Sequence, residues 1–163
     1  GIDQHVFTEN LDPADFDRVM DVNVNSVFNV TKAALPHLRE SDTEPTPSVT
    51  NVSSILAYTG APIEVHYAGS KGALLSLTKS HARDFAPDVR VNAIQPGFTD
   101  ETGLAENHPE EAARARAAET SLDRLGTPAD IGNVAVFLAS DLSSYVTAEG
   151  ILVDGGWVNT GGP

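Results

Sequence analysis

Apolar side chains recur along the first part of this chain at helical spacing. The apolar positions of this stripe are Phe16, Val19, Met20, Val24, Val27, Phe28, Val30 and Leu35. Asp12 and Pro13 precede it as a helix cap and a first-turn proline. The pattern predicts one long helix from residue 12 to about residue 38, which Pro36 kinks or marks as being in its last turns.

Short apolar runs rich in β-branched residues alternate with further helical patterns. The runs 49–52, 89–94 and 151–153 predict three buried strands. Helical patterns predict helices at 65–86, 110–118 and 127–140. Residues 53–63 are predicted to be a loop. Residues 98–118 are predicted to form an acidic flap that includes the helix at 110–118. Strands that alternate with helices indicate an α/β fold whose parallel sheet is covered on both faces. Residues 1–163 are predicted to form a single domain.

The charge balance narrows the range of partners. Twenty-three acidic residues face ten basic ones, a formal net charge of −13. Such a chain repels nucleic acid and anionic membranes, so neither is expected as a partner. Either an ordinary acidic protein or one adapted to concentrated salt has this composition, and the scarcity of lysine favours salt adaptation. The chain contains no cysteine. No apolar run approaches ~18 residues and the N-terminus lacks a signal pattern, so we expect a cytoplasmic protein.

A tyrosine and a lysine four residues apart form the first candidate chemical group. Tyr67 and Lys71 lie in the pattern that predicts the 65–86 helix, and residues at this spacing share one helix face. A phenol titrates near ~10, and a neighbouring cation lowers that pKa. The pair therefore predicts a general acid/base. Ser54 is expected to hold a carbonyl oxygen, with Ser53 as its rival.

Several motifs in one order resemble those of the short-chain dehydrogenase/reductase family. The catalytic pattern is Ser54, then Tyr67 thirteen residues later, then Lys71. The other matching segments are Val22-Asn23-Val24-Asn25-Ser26-Val27-Phe28, Asn92-Ala93-Ile94-Gln95-Pro96-Gly97, Arg124-Leu125-Gly126-Thr127-Pro128 and Val153-Asp154-Gly155-Gly156. The resemblance implies an oxidoreductase that interconverts an alcohol and a carbonyl with NAD or NADP.

The resemblance also implies a role for each catalytic position. Tyr67 would be the general acid in reduction and the base in oxidation. Lys71 would lower the pKa of Tyr67 and hydrogen-bond the nicotinamide ribose. Ser54 would hold the substrate oxygen. Asn23 would hold, through its backbone, a water of a proton relay, or would simply bind nearby backbone.

Besides Tyr67 and Lys71, which the resemblance also implies as cofactor-binding residues, three further positions are implied to meet the cofactor. Pro96 and Gly97 would let the backbone approach the nicotinamide. Thr99 would meet the carboxamide through its main chain, although Glu101 departs from the family pattern two residues later. The five histidines show no metal-ligand spacing, and no metal site is predicted.

The resemblance further implies a homo-oligomer and a partial doubly wound, Rossmann-like sheet made of the C-terminal three strands. A complete family member starts with a glycine-rich turn that binds pyrophosphate, and we find no such turn here. We therefore expect the C-terminal half of a family member, whether a fragment, a truncated reading frame or part of a longer protein. The alternative function is a catalytically silent chain that acts only through association with a partner.

Overall fold

Three parallel strands form the centre of the fold. The computed structural model describes residues 1–42, 46–100 and 110–160. In this part of the chain, β1 (Ser48–Val52), β2 (Arg90–Pro96) and β3 (Gly150–Val153) form one sheet in the order β1-β2-β3. Val52 lies opposite Ile94, and Ile94 lies opposite Ile151. The predicted α/β fold with a partial, Rossmann-like parallel sheet is confirmed.

Helices flank this sheet, and the longest of them carries the candidate chemical group. The helices are α1 (Pro13–Met20), α2 (Ser26–Arg39), α3 (Leu56–Thr59), α4 (Val65–Phe85), α5 (Glu110–Ala118), α6 (Pro128–Ala139) and α7 (Trp157–Thr160). Helix α4 contacts α1, α3, β1 and β2. Its buried residues Ala82 and Phe85 form a core cluster with Val89 and Val91. The long α4 helix is thereby fixed against the strands that approach the site.

The long first helix differs from its prediction in the middle. A π-helical segment, Asp21–Asn25, lies between α1 and α2. A π turn contains one extra residue, which repetitive apolar spacing does not reveal. Asn23 lies in this segment with its side chain buried. Pro36 lies within the last turn of α2, which continues to Arg39.

Two short helices lie outside the predicted elements. Helix α3 occupies part of the predicted 53–63 loop, and α7 follows the last strand. Each has only four residues, too few for a periodic pattern to show. The predicted helix at 110–118 is confirmed, whereas residues 101–109 of the predicted flap lie outside the described residues.

Several helix ends show the predicted capping. Asp12 Oδ1 accepts a hydrogen bond from the Ala14 amide at 2.8 Å. Thr127 and Asp130 form a capping box at the start of α6. A search of the described ranges found no helix of the length and apolar character needed to cross a bilayer.

Candidate functional site

A cavity of about 300 Å³ lies where β1 and β2 end beside the start of α4. Ser54, Tyr67, Pro96 and Gly97 all line it. The chain after β1 is held against β2, because the Ile55 amide donates a hydrogen bond to the Pro96 carbonyl at 3.1 Å. The structure thus brings together four of the residues singled out in the sequence. Ligands of open α/β sheets bind at these carboxyl ends of strands.

Tyr67 has a raised pKa, which corrects the expectation that Lys71 would lower it. Burial of the phenol is the largest cause, and the negative charges of Asp3 and Glu64 act in the same direction. A hydrogen bond with Ser54 opposes them, and the resulting pKa is about 12. Each raising cause penalises the phenolate. Tyr67 is therefore protonated at neutral pH.

Lys71 lies one turn beyond Tyr67 on α4, on the same face, as its spacing predicts. Its ammonium is 5.4 Å from the centroid of the Tyr67 ring. Its Nζ donates a hydrogen bond to the Val52 carbonyl at 2.8 Å. Burial lowers the pKa of Lys71, because removal from water disfavours the ammonium. The hydrogen bond anchors the lysine at the end of β1.

The two adjacent serines have different surroundings. Ser53 Oγ is buried and donates to the Lys71 carbonyl at 2.8 Å, so it ties β1 to α4. Ser54 Oγ accepts a hydrogen bond from the Leu56 amide at 3.2 Å and lines the cavity. Of the two serines, Ser54 is the one that lines the cavity, and its role in holding a substrate oxygen stays a prediction.

Asn23 lies behind the cavity rather than on its wall. Its side-chain amide donates to the Ile2 carbonyl at 2.9 Å and to Ser70 Oγ at 3.0 Å. Its Oδ1 accepts a hydrogen bond from the Ile2 amide at 2.8 Å. The side chain therefore fastens the N-terminal segment to α4, the helix that carries Tyr67. The predicted role of its backbone in a water relay stays a prediction.

Gly97 and Thr99 follow β2 in a closely packed turn. A Cβ atom on Gly97 would lie 2.7 Å from the Asp154 Cα, so this position excludes a side chain. Thr99 Oγ1 donates to the Gly97 carbonyl at 3.1 Å and thereby braces the turn. Thr99 is not among the residues that line the cavity. Its predicted contact with a carboxamide stays a prediction.

Three further residues on the cavity wall were not identified as site residues from the sequence. Asp3, His5 and Glu64 line the cavity and bring their ligand atoms within 4.8 Å of one another. The spacing of the histidines alone does not reveal a cluster of one histidine and two carboxylates. Asp3 and His5 lie far from Glu64 in the sequence. A hydrogen bond from the Val6 amide to the Ile63 carbonyl, at 2.8 Å, holds the two segments side by side. No local pattern reveals such a contact.

The chain is similar to known proteins over most of its length. The family model described as Enoyl-(Acyl carrier protein) reductase matches residues 2–158. The chain is 38% identical over 159 residues to 3-oxoacyl-[acyl-carrier-protein] reductase FabG of Thermotoga maritima, covering 97% of this chain and 63% of that protein.

Two solved structures share the fold. One is 4-hydroxyisoleucine dehydrogenase complexed with NADH, with a TM-score of 0.89, 30% identity and coverage of 97% of this chain and 65% of that one. The other is gluconate 5-dehydrogenase from Burkholderia cenocepacia in complex with NADP and tartrate. Its TM-score is 0.88, its identity 29%, and the match covers 96% of this chain and 61% of that one. The chain thus spans less than two thirds of the length of these proteins.

Proposed function

Because the chain belongs to the short-chain dehydrogenase/reductase family, we propose that it interconverts an alcohol and a carbonyl by NAD(P)-dependent hydride transfer. The observation that carries this proposal is the pair of hydroxyls of Ser54 and Tyr67 at one cavity. Two hydroxyls that converge on one point suit a carbonyl oxygen, which accepts two hydrogen bonds.

In the reducing direction, Tyr67 donates the proton. The nicotinamide, when bound, supplies a hydride to the carbonyl carbon. The carbonyl oxygen gains the phenolic proton of Tyr67 as the C=O double bond becomes a single bond, which leaves an alcohol and a phenolate. Ser54 donates a hydrogen bond to the same oxygen and stabilises its developing negative charge.

Tyr67 keeps its phenolic proton near neutral pH. A phenol with a pKa of about 12 is protonated there, so the donor is in the form that reduction needs. Oxidation of an alcohol needs the phenolate, which the charges of Asp3 and Glu64 disfavour. We therefore propose that the rate of alcohol oxidation rises with pH over the alkaline range in which Tyr67 loses its proton.

The residues around the cavity fit a nicotinamide. Pro96 and Gly97 line the cavity, and we propose that their backbone lies against the flat face of the nicotinamide ring. Lys71 reaches the end of β1 and would hydrogen-bond the ribose hydroxyls, while Thr99 would meet the carboxamide. The relatives use both cofactors, as the NADH and NADP complexes show for those proteins, so we propose NAD or NADP without choosing between them.

The substrate proposed here is a small alcohol or carbonyl compound. The named activities of the relatives concern an acyl carrier protein, a hydroxylated amino acid and a sugar acid, so they do not narrow the class. We also propose a homo-oligomer, because Phe28 and Val30 leave apolar surface exposed on α2. No observation on the described residues favours the alternative of a catalytically silent chain.

The test is an absorbance assay for the oxidation of NADH and NADPH in the presence of each member of a panel of ketones and aldehydes. The chain is assayed alone and joined to the segment of the Thermotoga relative that the alignment leaves uncovered. Substrate-dependent oxidation by either form supports the proposal. No oxidation by the joined form, under conditions in which the intact Thermotoga protein oxidises its cofactor, would overturn it.

A further inference from the structure

One imidazole and two carboxylates meet on the wall of the cavity. The His5 Nε2 atom lies 3.2 Å from Asp3 Oδ2 and 3.3 Å from Glu64 Oε1. Atoms that bind one Zn²⁺ ion at ~2.0–2.2 Å in tetrahedral geometry stand about 3.3–3.6 Å apart. Both distances that involve His5 are close to this range without any rearrangement.

The cluster is built from two segments that the fold holds side by side. Asp3 and His5 belong to the N-terminal segment, and Glu64 immediately precedes α4. The hydrogen bond from the Val6 amide to the Ile63 carbonyl joins the segments next to the cluster. Asn23 anchors the N-terminal segment from the other side through Ile2. The donor atoms are therefore positioned by the fold rather than by long, freely rotating side chains alone.

The exposures of the three side chains differ in a way that suits a ligand site. The side chain of Asp3 is 11% exposed and that of Glu64 is 18% exposed. Two carboxylates so close together repel each other, and partial removal from water strengthens this repulsion. A divalent cation between them would neutralise both charges. The His5 side chain is 54% exposed, which leaves a route from solvent to the cluster.

We propose that Asp3, His5 and Glu64 bind one divalent ion of the Zn²⁺ class, with its open coordination position facing the cavity. One nitrogen and two carboxylate oxygens form a donor set that suits Zn²⁺. Mg²⁺ and Ca²⁺ prefer sites made entirely of oxygen. All three residues line the same cavity as Ser54 and Tyr67. This site goes beyond the proposed function, whose chemistry needs no metal.

The test measures binding without any turnover, so its outcome is independent of the proposed function. The chain, freed of metal with a chelator, is titrated with Zn²⁺ at pH 7 in an isothermal calorimeter. We expect one equivalent bound in the micromolar range or tighter. His5→Ala should weaken binding at least about tenfold, since even the loss of a group that only orients a metal ligand costs that much.

Two variants and two controls make the result specific. Glu64→Gln should weaken Zn²⁺ binding as His5→Ala does, and its side chain makes no cap hydrogen bond whose loss would unfold α4. His37→Ala and Asp17→Asn remove an exposed imidazole and an exposed carboxylate elsewhere, and binding should be unchanged. Circular dichroism verifies that each variant is folded.

Cobalt provides a second readout. Co²⁺ at the site should give the intense visible absorption of a four-coordinate ion, and that absorption should disappear in His5→Ala. The proposal is overturned if the wild-type chain binds no Zn²⁺ in the micromolar range. It is also overturned if His5→Ala binds as tightly as the wild type, or if His37→Ala weakens binding equally.

Discussion

The ammonium of Lys71 lies 5.4 Å from the centroid of the Tyr67 ring, yet it donates its hydrogen bond to the Val52 carbonyl. The two residues share one face of α4, as the sequence predicts, but the pKa of Tyr67 is raised whereas the sequence predicts that it is lowered. Burial and the carboxylates of Asp3 and Glu64 determine that direction. The chemistry of Tyr67 therefore depends on its surroundings as much as on its motif.

Titration of Tyr67 should show this effect directly. We expect a pKa of about 12 for Tyr67. The titration is measured by tyrosinate absorbance, and the signal of Tyr67 is assigned by subtracting the titration of Tyr67→Phe. Asp3→Asn should lower the pKa, because it removes a negative charge that opposes the phenolate. Asp17→Asn, on an exposed face of α1, is the control. Titration near ~10 in the wild type would contradict the account.

The same raised pKa makes the stability of the fold dependent on pH. The folded chain holds the phenolic proton more tightly than the unfolded chain, whose tyrosine titrates near ~10. The contribution of Tyr67 is therefore fully present below pH ~10 and is lost as the pH approaches 12. The loss amounts to at most about 2 to 3 kcal/mol of unfolding free energy. Urea denaturation from pH 9 to 12 should show a smaller decrease for Tyr67→Phe than for the wild type.

Replacing Asn23 should destabilise the fold. Asn23→Ala removes the hydrogen bonds to the Ile2 backbone and to Ser70 Oγ, and we expect a cost of about 2 to 4 kcal/mol. Asn25→Ala is the matched control, because Asn25 is exposed and its side chain donates a hydrogen bond to Asp21 Oδ1 within the same π-helical segment. Urea denaturation measures both variants. Equal stability of the two would show that Asn23 does not hold the N-terminal segment.

Substitution by alanine should destabilise the fold at Gly97 and stabilise it at Gly132. Gly97→Ala places a Cβ within 2.8 Å of the Asp154 Cα and Cβ atoms, and overpacking of this kind costs about 1 to 3 kcal/mol. Gly132 lies in α6 with nothing within 4 Å of an added Cβ. Gly132→Ala should therefore stabilise the helix by up to about 1 kcal/mol. A tolerated Gly97→Ala would show that the turn does not need this glycine.

Added salt should raise the melting temperature. The net charge of −13 places like charges close together, and potassium chloride screens their repulsion. A gain of about 1 kcal/mol corresponds to ~2–4 °C for a chain of this size. Calorimetric melts at low and at molar potassium chloride provide the comparison. Equal melting temperatures would contradict the prediction of salt adaptation.

The sequence predicts well what depends on local spacing. The three strands follow from short apolar runs rich in β-branched residues. Helix α4 and the shared face of Tyr67 and Lys71 follow from the period of 3.6 residues. The choice of Ser54 over Ser53 also rests on spacing. Ser54 lines the cavity, and its catalytic role stays a prediction.

Local spacing does not predict what depends on contacts between distant segments. The meeting of His5 with Glu64 and the raised pKa of Tyr67 both require the N-terminal segment to lie beside α4. The π turn at Asn23 adds one residue within an otherwise regular helix. The predicted cytoplasmic location, oligomeric state and half-length character of the chain stay predictions.

The central claim is that Tyr67 donates the proton in carbonyl reduction. The most direct measurement compares the turnover of Tyr67→Phe with that of Tyr58→Phe, in the form of the chain that oxidises NADH or NADPH. Tyr58 has an exposed side chain outside the residues that line the cavity. We expect Tyr67→Phe to lose turnover at least about a hundredfold while cofactor binding is retained, and Tyr58→Phe to keep it. Retained turnover in Tyr67→Phe would contradict the account.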